Sequence, residues 1–415
     1  MIRTVSVLTV SALALSACSG DPGGPSAGTT SPGTAAVTPT TSLSSGTSSV
    51  EPTPKPSSTT SPGASCVDGL LRSMSPAQRA GQLVMVGLDA SMSAESLDTM
   101  IKDHHIGNMF FIGGWRTTSR VKSTSDHVQA QANSSSPKSV GFLIAADQEG
   151  GQVQQLKGDG FSALPSALRQ GTMSSADRAA VARTIVRELK AVGVNVDLAP
   201  VADTVPPANP RSNEPIGRWG RQYGNNPAKA GSAVAEVVRT MQAGGLQSTL
   251  KHFPGLGRIT GNTDFTADGI VDDQTSADDE YLRPFRDGIA AGAPFVMVSS
   301  AYYSRMDAEN QAIYSPKIID GVLRRQLGFG GVVMSDDLNA VAVRDLPAGE
   351  RVVKMVRAGG DVALTGLASA APLMARALTA EAAKDPVFRA KLNASVKRVL
   401  MAKTAMGLTS CSGRE

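Results

Sequence analysis

The chain is poor in several residue types that would point to common functions. Aromatic residues make up 4% of its 415 residues and charged residues 18%, with no long basic run, so nucleic-acid binding has no support. There are four histidines, and the adjacent His104 and His105 have no third ligand nearby in sequence, so no metal site is expected. No Gly-Lys-Ser/Thr follows the glycine-rich segment after Lys251, which excludes a phosphate-cradling P-loop. A dinucleotide fingerprint is absent as well, and no metal or organic cofactor is implied. The net charge of +4 is too small to argue from.

What is present begins with an N-terminal address. Arg3 precedes an apolar run over residues 5–15, which is too short to span a bilayer and reads as a secretory signal over 1–17. The run ends Leu15-Ser16-Ala17-Cys18, which resembles a bacterial lipobox with Cys18 as the lipid-bearing residue. Residues 18–65 follow as a Ser/Thr/Pro/Gly tether with too little apolar surface to offset the entropy of ordering. The expected location is therefore the cell envelope outside the cytoplasm, on a lipid-anchored protein. Cys66 and Cys411 flank the remaining segment, 66–415. An oxidising compartment permits a disulfide between them.

Eight short apolar runs recur in that segment, over 82–87, 108–112, 142–147, 195–201, 248–253, 295–301, 332–337 and 361–366. Helical patterns lie between them. Ser174 caps one, with Val181, Ile185 and Leu189 on one face and Gly193 as its stop. Asn226-Pro227 opens a second and Ser315-Pro316 a third, each leading into the next run. A final helix is expected over 387–406. Strand–helix alternation of this kind implies a parallel sheet, and eight units favour a single-domain (β/α)8 TIM barrel over an open doubly wound sheet.

Such barrels work from the face where the strands end. There this chain places Asp147, Asp203, Lys251-His252, Ser299-Ser300 and Asp336-Asp337. A carboxylate such as Asp147 accepts hydrogen bonds from vicinal hydroxyls, and a cation beside an imidazole donates to them. Of Asp336 and Asp337, strand alternation lets one face the mouth, while the other is expected to cap the following helix. A carboxylate at the mouth can form and release a glycosyl ester.

Taken together, Asp147-Gln148-Glu149-Gly150-Gly151, Lys251-His252-Phe253-Pro254-Gly255-Leu256-Gly257 and Ser335-Asp336-Asp337-Leu338 resemble family 3 glycoside hydrolases. The likeness is to the β-N-acetylhexosaminidase branch that acts on peptidoglycan fragments. Leu198-Ala199-Pro200-Val201, Arg221-Gln222-Tyr223-Gly224 and Ala358-Gly359-Gly360-Asp361 support it, across roughly residues 70 to 405. The resemblance implies a retaining β-N-acetylglucosaminidase with Asp336 as nucleophile. It further implies that Asp147, Arg221, Lys251 and His252 bind the non-reducing N-acetylglucosamine. Peptidoglycan-derived saccharides are the expected partners, and a monomer the expected state.

One departure concerns the general acid. The family's loop ends Asp-Ser-His, with the histidine as acid/base, whereas the ungapped positions here are Asn262, Thr263 and Asp264. Asp264 is the expected replacement, since a carboxylic acid with a raised pKa is the usual general acid of glycosidases. Two alternatives remain open at this level: another carboxylate, such as Glu149, Glu214 or Asp268, or a sugar-binding surface lipoprotein with little turnover. Further departures are Gln152, Leu256 and Arg258, where the family has Arg, His and Asp. Trp115 and Trp219 are both candidates to stack on a sugar, Trp219 the better one for its closeness to Arg221, with packing as the equal alternative.

Overall fold

A computed structural model describes residues 62–135, 140–208 and 210–411. The signal segment, the tether up to residue 61 and Cys18 lie outside the described residues.

Eight parallel strands form one sheet whose spatial order follows the chain. They are β1 Val84–Asp89, β2 Asn108–Ile112, β3 Leu143–Ala146, β4 Val196–Asp197, β5 Gln247–Phe253, β6 Phe295–Val298, β7 Val332–Ser335 and β8 Ala363–Thr365. β8 pairs with β1, and a parallel bridge from Met334 to Val362 joins β7 to the start of β8, so the sheet curls into a (β/α)8 barrel. Each apolar run of the sequence contains or overlaps one strand. A parallel strand covered by helices outside and packed within is buried on both faces, so most of its residues are apolar, and the polar ones on β5 from Ser248 onward are buried as well. β4 is far shorter than its run, since Pro200 has no N–H to offer a ladder.

The connecting helices begin and end where local chemistry dictates. The Ser174 hydroxyl accepts the Asp177 N–H at the start of Ser175–Ala191, and the Asn226 side chain accepts the Lys229 N–H at the start of Pro227–Ala243. The third expected helix, Lys317–Gln326, is wound in the wider π geometry.

At the floor, where the strands begin, Lys403 is fully buried. It donates to Gln82 Oε1 at 2.6 Å and to the Gly107 carbonyl at 2.9 Å, tying the last helix, Pro386–Ala405, beneath β1 and β2. The first helix, Pro62–Ser73, packs on that last helix, and a Cys66–Cys411 disulfide joins the two ends of the domain. Folded structure thus starts upstream of the boundary expected at Cys66.

Candidate active site

At the opposite end, where the strands finish, a cavity of about 300 Å³ opens to solvent. Phe110, Leu198, Met297 and Leu364 supply apolar wall. The polar lining includes Asp147, Arg221, Lys251, His252, Asp264, Asp336 and Asp337. The six residues singled out in the sequence for catalysis and sugar binding therefore share one cavity.

Lys251 and His252 are consecutive on β5, yet both line the mouth. The β5–β6 register shifts between Leu250 and Phe253, which breaks the alternation that would turn one of them outward. The chain then turns away at Gly257, where a Cβ would lie 1.8 Å from the Thr204 carbonyl oxygen.

The floor of the cavity is a balanced ion cluster. Lys251, 1% exposed, donates to Asp147 and lies 2.7 Å from Glu149 Oε1. Arg221 grips Glu149 through two bonds of 2.9 and 2.7 Å and donates to the Pro215 carbonyl. Burial opposes the charge on Glu149, but Arg221 and then Lys251 outweigh it and hold its pKa down to about 2. Burial likewise opposes the charges of Lys251 and Arg221, and their carboxylate partners hold both groups above their ordinary values. Beneath them Asp197 accepts the Gln148 N–H, and burial pushes its pKa up to about 8, so it stays neutral where a third anion would be uncompensated. Part of Asp147 stays open, 21% of its side chain, so its pairing with Lys251 leaves it able to meet a ligand.

His252 is oriented by Asp203. Oδ2 lies 2.8 Å from the ring Nδ1, while Oδ1 accepts the N–H groups of His252 and Leu256. Nε2 is left beside Arg221, 3.4 Å away. Sequence reasoning placed Asp203 at a strand end and gave it no task. For Glu149 the sequence suggests only the role of an acid.

Both Asp336 and Asp337 line the cavity, which corrects the expectation that only one would. The strand ends at Ser335, so alternation no longer separates them. Their contacts differ. Asp337 Oδ1 accepts the N–H groups of Asn339 and Gly366, and burial raises its pKa. Asp336 Oδ1 accepts the N–H of Asp337 at 2.9 Å.

Asp264 sits on a loop pinned at its stem and at its tip. Thr260 and Gly261 donate to the Gly269 carbonyl, and a Cβ on Gly261 would lie 2.0 Å from the Asp268 carbonyl oxygen. Beyond the loop, Val271–Asp272 pairs in parallel with Tyr302–Tyr303. At the tip the carbonyls of Thr263 and Asp264 accept the N–H groups of Ala342 and Val341, which follow Asp336 and Asp337 on the adjoining segment. The residue is open to solvent on one side and looks into the cavity on the other. Crowding by protein, and then the negative charge of Asp336, raise its pKa to about 6.

The other acids considered do not fit. Glu149 is locked as an anion, Glu214 pairs with Arg218 at the surface, and Asp268 is exposed outside the cavity. Arg258 turns away to Asp279 and stacks 3.8 Å over Tyr281. Trp115 is 4% exposed, donates to the Leu88 and Ile112 carbonyls and packs edge-on against Phe111, so it is core and not a sugar platform.

The model of the glycosyl hydrolase family 3 N-terminal domain matches residues 77–402. The chain belongs to glycosyl hydrolase family 3. As a glycosidase of that family it is 34% identical over 295 residues to a β-hexosaminidase of Stenotrophomonas maltophilia, covering 68% of this chain and 82% of the relative. Its fold superposes with a TM-score of 0.74, at 42% identity, on a β-N-acetylhexosaminidase from Beutenbergia cavernae, covering 80% of this chain and 98% of that one. A family 3 β-N-acetylglucosaminidase from Paenibacillus matches at 27% identity with a TM-score of 0.71, covering 81% of this chain and 63% of that one.

Proposed function

We propose that this chain is a retaining β-N-acetylglucosaminidase. It would release terminal non-reducing β-linked N-acetylglucosamine from peptidoglycan fragments, outside the cytoplasm and on a lipid anchor at Cys18. The observation that carries the chemistry is the pairing of functions in one cavity. Asp336 and Asp264 line it together with the hydroxyl-binding set Asp147, Arg221, Lys251 and His252. The β-hexosaminidase names of the relatives support the sugar.

In this reading Asp336 attacks the anomeric carbon while Asp264 gives its proton to the departing oxygen. The glycosidic bond breaks as a glycosyl–Asp336 ester forms. The leaving alcohol departs and water enters. Asp264, now a carboxylate, takes a proton from that water as it attacks the anomeric carbon; the bond from that carbon to the Asp336 oxygen breaks, which releases the sugar and restores Asp336. One water is consumed per bond and both carboxyl groups return to their starting forms. An ionised Asp264 repels an anion at the mouth, which favours water over phosphate as acceptor.

The test is turnover of 4-nitrophenyl β-N-acetylglucosaminide and of muropeptides by residues 62–415, with Asp336→Asn beside the wild type. Turnover lost in Asp336→Asn supports the mechanism. Binding of N-acetylglucosamine without turnover by the wild type would replace it with a binding protein, and a sugar 1-phosphate in phosphate buffer would overturn the choice of water.

A further inference from the structure

The ring of Phe265 is 79% exposed, more than any other large apolar side chain among the described residues. Scattered exposed apolar groups are normal on a surface, but this one has an uncommon address. It follows Asp264 directly, at the tip of the loop whose backbone is held on both sides. The N–H groups of Phe265 and Thr266 both donate to the Asn262 carbonyl at 2.9 Å, the Asp264 carbonyl accepts from Val341, and Thr263 is buried. The ring is therefore presented on a fixed support. The other exposed aromatic, Trp219, already has the Arg218 guanidinium 5.5 Å from its ring centroid. Phe265 has no aromatic or cationic partner among the described residues.

The chemistry of the site says what passes over it. A general acid must come within about 3 Å of the oxygen it protonates, and that oxygen belongs to the leaving group. With the N-acetylglucosamine held by Asp147, Lys251 and His252, the leaving residue extends outward past Asp264. Asp264 lines the cavity, and Phe265, the next residue on that loop, stands exposed just outside it. Pyranose rings have apolar C–H faces that suit an aromatic surface, and burying the ring against one recovers apolar area that is otherwise wetted.

We propose that Phe265 is the platform for the leaving-side sugar, so that the site prefers substrates with a pyranose ring beyond the scissile bond over those with small leaving groups. This rests on the glycosidase mechanism assigned to Asp264 and Asp336.

The test compares kcat/KM for N,N′-diacetylchitobiose with that for β-N-acetylglucosaminyl fluoride, whose leaving group has no ring to stack. In Phe265→Ala the chitobiose-to-fluoride ratio should fall roughly tenfold, the scale of one aromatic contact, mainly through KM for chitobiose. Phe265→Trp should restore it. An unchanged ratio, or equal losses on both donors, would overturn the platform while leaving the hydrolase reading intact. A wild type that turns over neither donor would overturn the hydrolase reading, and the platform with it.

Discussion

Asp203 holds His252 at two points, the ring through Nδ1 at 2.8 Å and the backbone N–H at 3.1 Å. The same Oδ1 also accepts the Leu256 N–H, so one carboxylate sets both the imidazole and the first turn of the loop behind it. Asp203→Ala should therefore act through position. Loss of orienting contacts of this kind costs on the order of 100-fold in kcat/KM. Steady-state kinetics alongside thermal unfolding would check this, and a variant as active as the wild type would remove His252 orientation from the mechanism.

The acid/base role proposed for Asp264 carries a pH signature. Its pKa of about 6 means that the proton needed for leaving-group departure is lost as pH rises through that value. With a disaccharide, kcat/KM should decline above about pH 6, and Asp264→Asn should lack that limb and lose roughly 10²–10⁴-fold, the usual contribution of a general acid. With 4-nitrophenol, which needs little protonation to leave, the loss should be much smaller. Equal losses on both substrates would point to another acid.

The ion cluster under the sugar site predicts acid sensitivity. Glu149 titrates near its ordinary value of 4.5 when unfolded and near 2 in place. Its depressed pKa contributes stability that is complete above about 4.5 and lost as pH falls toward 2, because the unfolded chain takes up the proton first. Glu149→Gln should be less stable than the wild type at neutral pH, by roughly 3–5 kcal/mol for a buried pair broken on one side. It should also lose less stability between pH 5 and pH 3. Urea titrations at the two pH values measure the difference, and parallel slopes would contradict it.

Local pattern carried the barrel because strands such as β1 and β6 have no polar face to confuse with a helix and are buried almost throughout. It failed at Lys317–Gln326, where the apolar spacing reads as an ordinary helix and the winding is π. The site was legible where chemistry sits at a strand end, as at Asp147 and Lys251. Glu149 was not, because its meaning lies in a grip by Arg221, 72 residues away, that exists only once the barrel closes. For Trp115 the sequence leaves stacking and packing open, and the choice of packing rests in part on the Leu88 carbonyl, 27 residues away on β1.

The bond between Cys66 and Cys411, 345 positions apart in sequence, closes a covalent circuit around the whole barrel. A protease that cuts one exposed loop inside that circuit opens the chain without releasing a fragment. The two pieces stay joined at the floor, each with its share of strands still in register, so a nicked domain can keep its mouth assembled. On a gel such a molecule runs as one band until a reductant is added.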